Sequence, residues 1–193
     1  RLLAETMRVL DNPDMQVCLL AGNHDQASRE PQDNALDPFN LIGVDVHDQP
    51  DHDEDGRLIF LPFGSQEIPF AWKAVAPAIF LHAGITGPDT PPWLAASGEA
   101  IGADQLFAMM VLVDATFAFA GHWHFNAEFA QGKRSIVKVG TLCPSSFRPG
   151  ETGVEGLGRM YLFDPDVADA FGFEVIPGPR FISFRDDDGL KQA

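Results

Sequence analysis

The chain has little cysteine and little positive charge. Its 193 residues include only two cysteines, Cys18 and Cys143, too few for a disulfide framework, so a reducing cytoplasm is the expected location. It has 13 basic against 28 acidic residues, a formal net charge of −15. This balance argues against binding nucleic acid through a broad basic surface, because neutralising phosphates supplies most of that affinity. It does not exclude an enzyme whose bound cations meet a phosphate locally.

Long apolar runs are also missing. No stretch is long enough to cross a bilayer and no secretory signal is visible, so no membrane partner is expected. The length fits a single domain over 1–193, and the 45% hydrophobic fraction is ordinary for a folded chain. The first residue is Arg1 rather than Met, so either the start was processed or the sequence begins inside a longer one.

The residue pattern predicts an α/β fold with many strands and few helices. Apolar residues at helical spacing predict helices over 1–10 and 103–112. Apolar runs bounded by turn residues predict strands at 17–21, 44–47, 58–61, 78–81, 116–120, 135–139, 160–163, 173–176 and 181–184. Cys18 lies inside the first of these strands and is predicted to be a small buried hydrophobe.

An acidic segment imitates the opening of a calcium loop. Asp51, Asp53 and Asp55 have the right spacing, but Pro62 stands where such a loop needs a bidentate Glu. The segment is therefore predicted to be a solvated hairpin turn between 44–47 and 58–61. The two neighbouring histidines, His47 and His52, are predicted to face solvent.

Glycines and metal-ligand residue types follow four of the predicted strands. These exits are Gly22-Asn23-His24-Asp25, His82-Ala83-Gly84, Gly121-His122-Trp123-His124 and Gly140-Thr141. Ligands bind at the carboxyl ends of strands in α/β sheets, so these side chains are expected to meet. Each histidine taken singly has a structural explanation, as a hydrogen-bonded group beside a strand. The order in which they recur is the informative feature.

The chemistry of these side chains favours a transition metal. An Asn carbonyl with two or three imidazoles suits Zn, Mn or Fe better than Ca or Mg alone. Asp25 is placed to orient the His24 imidazole. His122 and His124, two apart on a segment expected to be extended, are predicted to point the same way, with Trp123 facing the core.

These residues resemble the calcineurin-like metallophosphoesterases. The pattern of that family is D-x-H, G-D-x-x-D/N, G-N-H-D/E, a single His and G-H-x-H. The last three blocks are present here as 22–25, His82 and 121–124. The later stretch IVKVGTLCPSSFRPG and the strands after it look most like the DNA-repair exonuclease branch (SbcD-type) and its phage relatives.

The resemblance implies a fold, a reaction and a role for each residue. The fold is a four-layer α/β/β/α sandwich, and the reaction is hydrolysis of a phosphoester, foremost a phosphodiester of DNA, by a hydroxide activated between two divalent ions (Mn, Zn or Fe). Asn23, His82 and His122 are implied to bind the second ion and His124 the first. His24 is implied to contact the phosphate and protonate the leaving oxygen, supported by Asp25.

The first two blocks of the family pattern do not occur in the 21 residues before Gly22. The chain is therefore expected to lack the N-terminal strand and helix of the sandwich and to hold one ion or none tightly. Two alternatives stay open: a small-molecule phosphatase or cyclic-nucleotide phosphodiesterase, and a non-catalytic subunit with the same fold. The exonuclease branch implies a homodimer or an ATPase partner.

Overall fold

The computed structural model describes residues 16–26, 34–65, 67–69, 72, 76–88, 90, 92–95, 99–141, 158–164, 171–176, 184–185 and 191–192. The helices within these ranges are α1 Asp37–Asn40, α2 Pro92–Ala95 and α3 Ala103–Leu112. The strands are β1 Cys18–Leu20, β2 Asp45–His47, β3 Asp51–His52, β4 Leu58–Leu61, β5 Ala78–His82, β6 Gly84–Thr86, β7 Ala100–Gly102, β8 Phe117–Gly121, β9 Ala127–Gln131, β10 Arg134–Lys138, β11 Gly158–Phe163, β12 Phe171–Ile176, β13 Phe184–Arg185 and β14 Lys191–Gln192. The predicted helix over 1–10 lies outside the described residues, as do residues 142–150 with Cys143 and most of the predicted strand at 181–184.

A six-stranded sheet in the order β3-β4-β5-β8-β10-β9 organises the chain. Its four inner strands are parallel, and β3 and β9 pair antiparallel at the two edges. The inner strands read as nearly continuous apolar runs because both of their faces are covered, as is usual for parallel strands. The predicted α/β class is confirmed.

The register of the inner strands brings their carboxyl ends to one edge of the sheet. His82 at the end of β5 pairs with Gly121 at the end of β8, and Lys138 at the end of β10 pairs with Ala120. The residues that follow these strands therefore emerge side by side, as the sequence predicts.

Helix α3 covers one face of this sheet and has the predicted bounds. The predicted apolar face is confirmed, since Leu106, Met109, Met110 and Val113 are all buried. They pack in one cluster with sheet residues such as Ile79. Each such side chain contributes about 1.5–3 kcal/mol when fully removed from water.

Phenylalanine rings cover the opposite face. Phe60, Phe80 and Phe119 stack across neighbouring strands with centroids 5.7 and 5.3 Å apart. The hairpin formed by β11 and β12 packs on this face, where Phe163 meets Phe119 at 5.8 Å. The sheet thus separates two apolar clusters, one beneath the helix and one beneath the hairpin.

Four further two-stranded sheets share no ladder of hydrogen bonds with the main sheet. They pair β1 with β2, β6 with β7, β11 with β12 and β13 with β14. The pair β1–β2 is parallel and is tied to the end of β4 by the Phe63 N–H, which donates to the Ala21 carbonyl at 2.9 Å. This bond brings the exit of β1 to the edge where β5 and β8 end. Within the described residues, no helix has the length and apolar character to span a membrane.

Two predictions about burial are wrong. Cys18 is exposed, because β1 borders an open groove of about 680 Å³ whose other wall includes Phe80 and Tyr161. His47 is buried rather than solvent-facing, because its ring stacks on Phe60 with centroids 3.8 Å apart. His52 is exposed as predicted.

The acidic hairpin also differs from the prediction. The strand preceding its turn is β3, which pairs with β4, whereas β2 pairs with β1. The Asp53 carboxylate accepts the Leu58 N–H at 2.8 Å, and Gly56 has a positive φ of 68°. The acidic side chain thus closes a turn, and the turn itself is as predicted.

Candidate metal centre

Donor atoms from three distant segments converge at the carboxyl edge of the sheet. Oδ1 of Asn23 lies 3.2 Å from Nε2 of His82 and 3.3 Å from Nδ1 of His122. The two imidazole rings meet edge to face with centroids 5.3 Å apart. The structure therefore brings together the three residues that the resemblance assigns to one ion.

Asn23 is presented by a tight turn that follows β1. The Asp25 N–H donates to the Gly22 carbonyl at 3.2 Å, and the Gly22 N–H donates to Oδ2 of Asp25 at 2.8 Å. These reciprocal bonds hold Asn23 at the tip of the turn. The Asp25 carboxylate thus accepts a hydrogen bond from the Gly22 backbone, and its support of His24 stays a prediction.

The His122 backbone is strained. Strand β8 ends at Gly121, and residues 122–125 form bends, so the prediction of an extended segment here is wrong. His122 has a φ of 90°, a left-handed conformation that costs a residue with a side chain about 1–3 kcal/mol. Such strain concentrates at functional sites, and here it accompanies the turn that places His122 against Asn23.

Trp123 anchors the same turn in the core. Its side chain is buried, as predicted, and stacks on Phe125 with centroids 5.9 Å apart. The Lys138 ammonium lies 4.7 Å from the Trp123 ring and 3.6 Å from the Phe125 ring. The segment that carries His122 is therefore fixed from beneath by apolar and cation–π contacts.

His24 and His124 lie at the periphery of the centre. Both are exposed, while the rings of His82 and His122 are partly buried. Repulsion from His24 and from His124 is among the causes that lower the pKa of His82, which shows that both are electrostatic neighbours of that ring. They are thus close to the three converging donors and open to solvent.

The two central imidazoles are held in their neutral form. Burial, followed by repulsion from His122, lowers the pKa of His82 to about 4. Burial also lowers the pKa of His122, although Glu99 partly opposes this shift. A neutral imidazole keeps the lone pair that a metal ion requires, so both rings are ready to act as ligands at neutral pH.

Two residues at the centre were missed in the sequence. Phe63 follows β4, and its ring lies 5.7 Å from that of His122 and 6.2 Å from that of His82. Its position just after a predicted strand was an available signal. Glu99 places Oε2 3.3 Å from Nε2 of His122, and nothing in the local sequence pattern marks it.

The geometry fits three donors of one ion. Ligands about 2.1 Å from a shared tetrahedral ion lie about 3.4 Å from one another, close to the two measured separations. One amide oxygen and two imidazole nitrogens form a donor set that suits Zn, Mn or Fe. The described part of the chain groups no three His, Cys, Asp or Glu side chains around one point, so this set is a partial shell.

No protein-family model matches the chain, and no curated protein matches it. Its function is therefore inferred from its residues and their contacts.

Proposed function

We propose that this chain is a metal-dependent phosphoesterase that hydrolyses phosphodiesters, foremost those of DNA. One observation carries the proposal: Oδ1 of Asn23 lies within 3.3 Å of a ring nitrogen of both His82 and His122, residues far apart in sequence, where the parallel inner strands of the main sheet end. Their order also matches the three family blocks found in the sequence. Divalent ions at such a site lower the pKa of water and neutralise charge on phosphoryl oxygens.

The exposed histidines have separate roles in this proposal. His24 follows the ligand Asn23 directly and is open to solvent, where its imidazole can reach a bound phosphoester and donate a proton to the leaving oxygen. Asp25 sets the turn that carries both residues. His124 is the donor that the proposal assigns to the first ion, the one that Asn23, His82 and His122 do not bind.

The proposed fold is a four-layer α/β/β/α sandwich. The main sheet has helix α3 on one face and strands β11 and β12 on the other, which supplies an α/β/β order of layers. The pair β1–β2 lies beside the same aromatic face, since His47 of β2 stacks on Phe60. These contacts support a second sheet built on the side opposite to α3.

A small-molecule phosphoester is the second candidate substrate. The net charge of −15 disfavours a long polyanion. The groove of about 680 Å³ adjoins His82 and Gly121 and is lined mainly by apolar side chains, including Phe80 and Phe119. Such a groove suits one apolar leaving group better than a nucleic-acid backbone.

The deciding assay supplies the Mn²⁺-loaded protein, as this chain and in any longer natural form, with single-stranded DNA, a bis-aryl phosphodiester and an aryl phosphomonoester. Cleavage of DNA and the diester, lost in His24→Gln and kept in the exposed-histidine control His52→Gln, supports the proposal. Hydrolysis of the monoester alone contradicts the nuclease and supports the phosphatase. Metal binding without turnover of any substrate supports a non-catalytic subunit.

A further inference from the structure

Glu99 contacts the candidate metal centre from its outer side. Its Oε2 lies 3.3 Å from Nε2 of His122, whose side chain is only 10% exposed. The other nitrogen of the same ring, Nδ1, lies 3.3 Å from Oδ1 of Asn23. One imidazole is thus held between a carboxylate and an amide oxygen.

A backbone hydrogen bond holds the main chain at Glu99. The N–H of Gly84, the first residue of β6, donates at 3.1 Å to the carbonyl of Glu99, which directly precedes β7, the parallel partner of β6. Gly84 follows His82 by two residues, so this bond links the position of Glu99 to the end of β5. Strand pairing therefore sets where the Glu99 backbone lies, and the side chain, 47% exposed, extends from there to His122.

Both contacts of His122 are with acceptors, and a neutral ring has only one N–H to donate. A carboxylate is a stronger acceptor than an amide oxygen, so the Glu99 contact favours the proton on Nε2. Nδ1 then presents a lone pair toward Oδ1 of Asn23, which is also an acceptor. Two lone pairs that face each other at this distance repel, and a cation between them removes the repulsion.

We propose that Glu99 is a positioning residue that selects the Nε2–H tautomer of His122 and thereby directs the Nδ1 lone pair into the Asn23–His82 centre. The inference rests on the proposed metal centre for its functional meaning. Its structural content, the tautomer, concerns the metal-free protein as well. A carboxylate that accepts the second N–H of a metal-binding histidine fixes the ring and raises its basicity, and its loss costs about 10–100-fold in affinity.

Three variants test the role of Glu99. Glu99→Ala removes the acceptor, Glu99→Gln keeps an amide oxygen that can accept the N–H, and Glu128→Ala removes an exposed carboxylate from edge strand β9 as a matched control. Nitrogen-15 NMR of the metal-free proteins, at a pH where the imidazoles are neutral, reports which His122 nitrogen carries the proton. Calorimetric titration with Zn²⁺ reports the affinity.

The expected wild-type tautomer is Nε2–H. Glu99→Ala is expected to give a mixture of tautomers and about 10–100-fold weaker Zn²⁺ binding. Glu99→Gln is expected to restore most of the Nε2–H form with a smaller loss of affinity, and Glu128→Ala to match the wild type. Because Glu99 is half exposed, thermal unfolding of all variants is expected to stay close to that of the wild type.

An unchanged tautomer in Glu99→Ala overturns the inference. If Zn²⁺ affinity falls while the tautomer stays the same, Glu99 is a ligand rather than a positioning residue, and the inference also fails. If wild-type protein binds no Zn²⁺, the proposed metal centre fails, and the tautomer measurement alone decides the role of Glu99. The two failures are therefore distinguishable.

Discussion

Gly22 lies directly against the imidazole of His82. A β-carbon at position 22 would stand 2.7 Å from Cε1 of His82, closer than packed atoms approach, so the absence of a side chain lets the turn and the His82 ring coexist. Gly22→Ala is therefore expected to displace His82 and to weaken Zn²⁺ binding by at least about tenfold. Losses of about 10–100-fold follow when a residue that orients a metal ligand is removed. Calorimetric titration measures the loss. Gly172→Ala is the matched control because its β-carbon meets no atom within 4 Å, and equal affinities in the two variants would contradict the prediction.

Asn23 lies between the two imidazoles, so its side chain has the largest expected effect on ion binding. Asn23→Ala removes the oxygen that lies near both rings. Loss of a residue that only orients a ligand weakens metal binding by about 10–100-fold, so loss of the proposed ligand itself should weaken Zn²⁺ binding by more than about tenfold. Asn23→Asp adds a negative charge beside two neutral rings and should bind at least as tightly as the wild type. Titration calorimetry should also show at most one tightly bound ion per chain. Asn40→Ala, at an exposed position in α1, serves as the control, and an Asn23→Ala variant with wild-type affinity would contradict the assignment.

The convergence of Asn23, His82 and His122 could be predicted because it depends only on where the buried strands end and on how they pair. Apolar runs identify buried strands, parallel pairing places their carboxyl ends at one edge, and the exit residues follow. Helix α3 was equally accessible, since its apolar positions repeat at helical spacing over its full length. Strand β9 was missed because Glu128 and Gln131 face solvent and Phe129 is its only large apolar residue, as is common at a sheet edge.

The remaining features depend on contacts between segments that no local pattern reports. Cys18 has an apolar neighbourhood in sequence yet is exposed, because burial depends on what packs over β1. His47 is flanked by Asp45 and Asp48, and its burial follows from stacking on Phe60. Glu99 directly precedes β7, and its contact with His122 joins segments 23 residues apart in sequence. The backbone strain at His122 likewise arises where β8 turns.

The depressed pKa of His82 makes stability depend on pH. The pKa is about 4 in the folded chain against 6.5 for an unperturbed histidine, so between these values the unfolded state binds a proton that the folded state does not. The free energy of unfolding of the metal-free protein should therefore fall as pH decreases from 6.5 to about 4. Below pH 4, His82 should contribute little further change. Urea unfolding across this window should show a shallower dependence in His82→Gln than in the wild type. The exposed-histidine variant His52→Gln should keep the wild-type slope, and equal slopes in all three proteins would refute the prediction.

The buried Lys138 makes stability depend on pH in the alkaline range. This side chain is only 3% exposed, and burial lowers its pKa from 10.5 to about 8. Between pH 8 and 10.5 the unfolded state holds a proton that the folded state has lost, so wild-type stability should rise with pH across this window. At neutral pH the ammonium is buried against the rings of Trp123 and Phe125, where cation–π attraction of about 0.5–2 kcal/mol offsets part of its desolvation. Lys138→Met keeps the apolar stem without the charge, so it should be at least as stable as the wild type at neutral pH and lose most of the alkaline rise. Lys133→Met removes an exposed lysine paired with Asp114 and should keep the rise in stability between pH 8 and 10.5. If Lys133→Met loses this rise, or if Lys138→Met keeps it, a group other than Lys138 titrates.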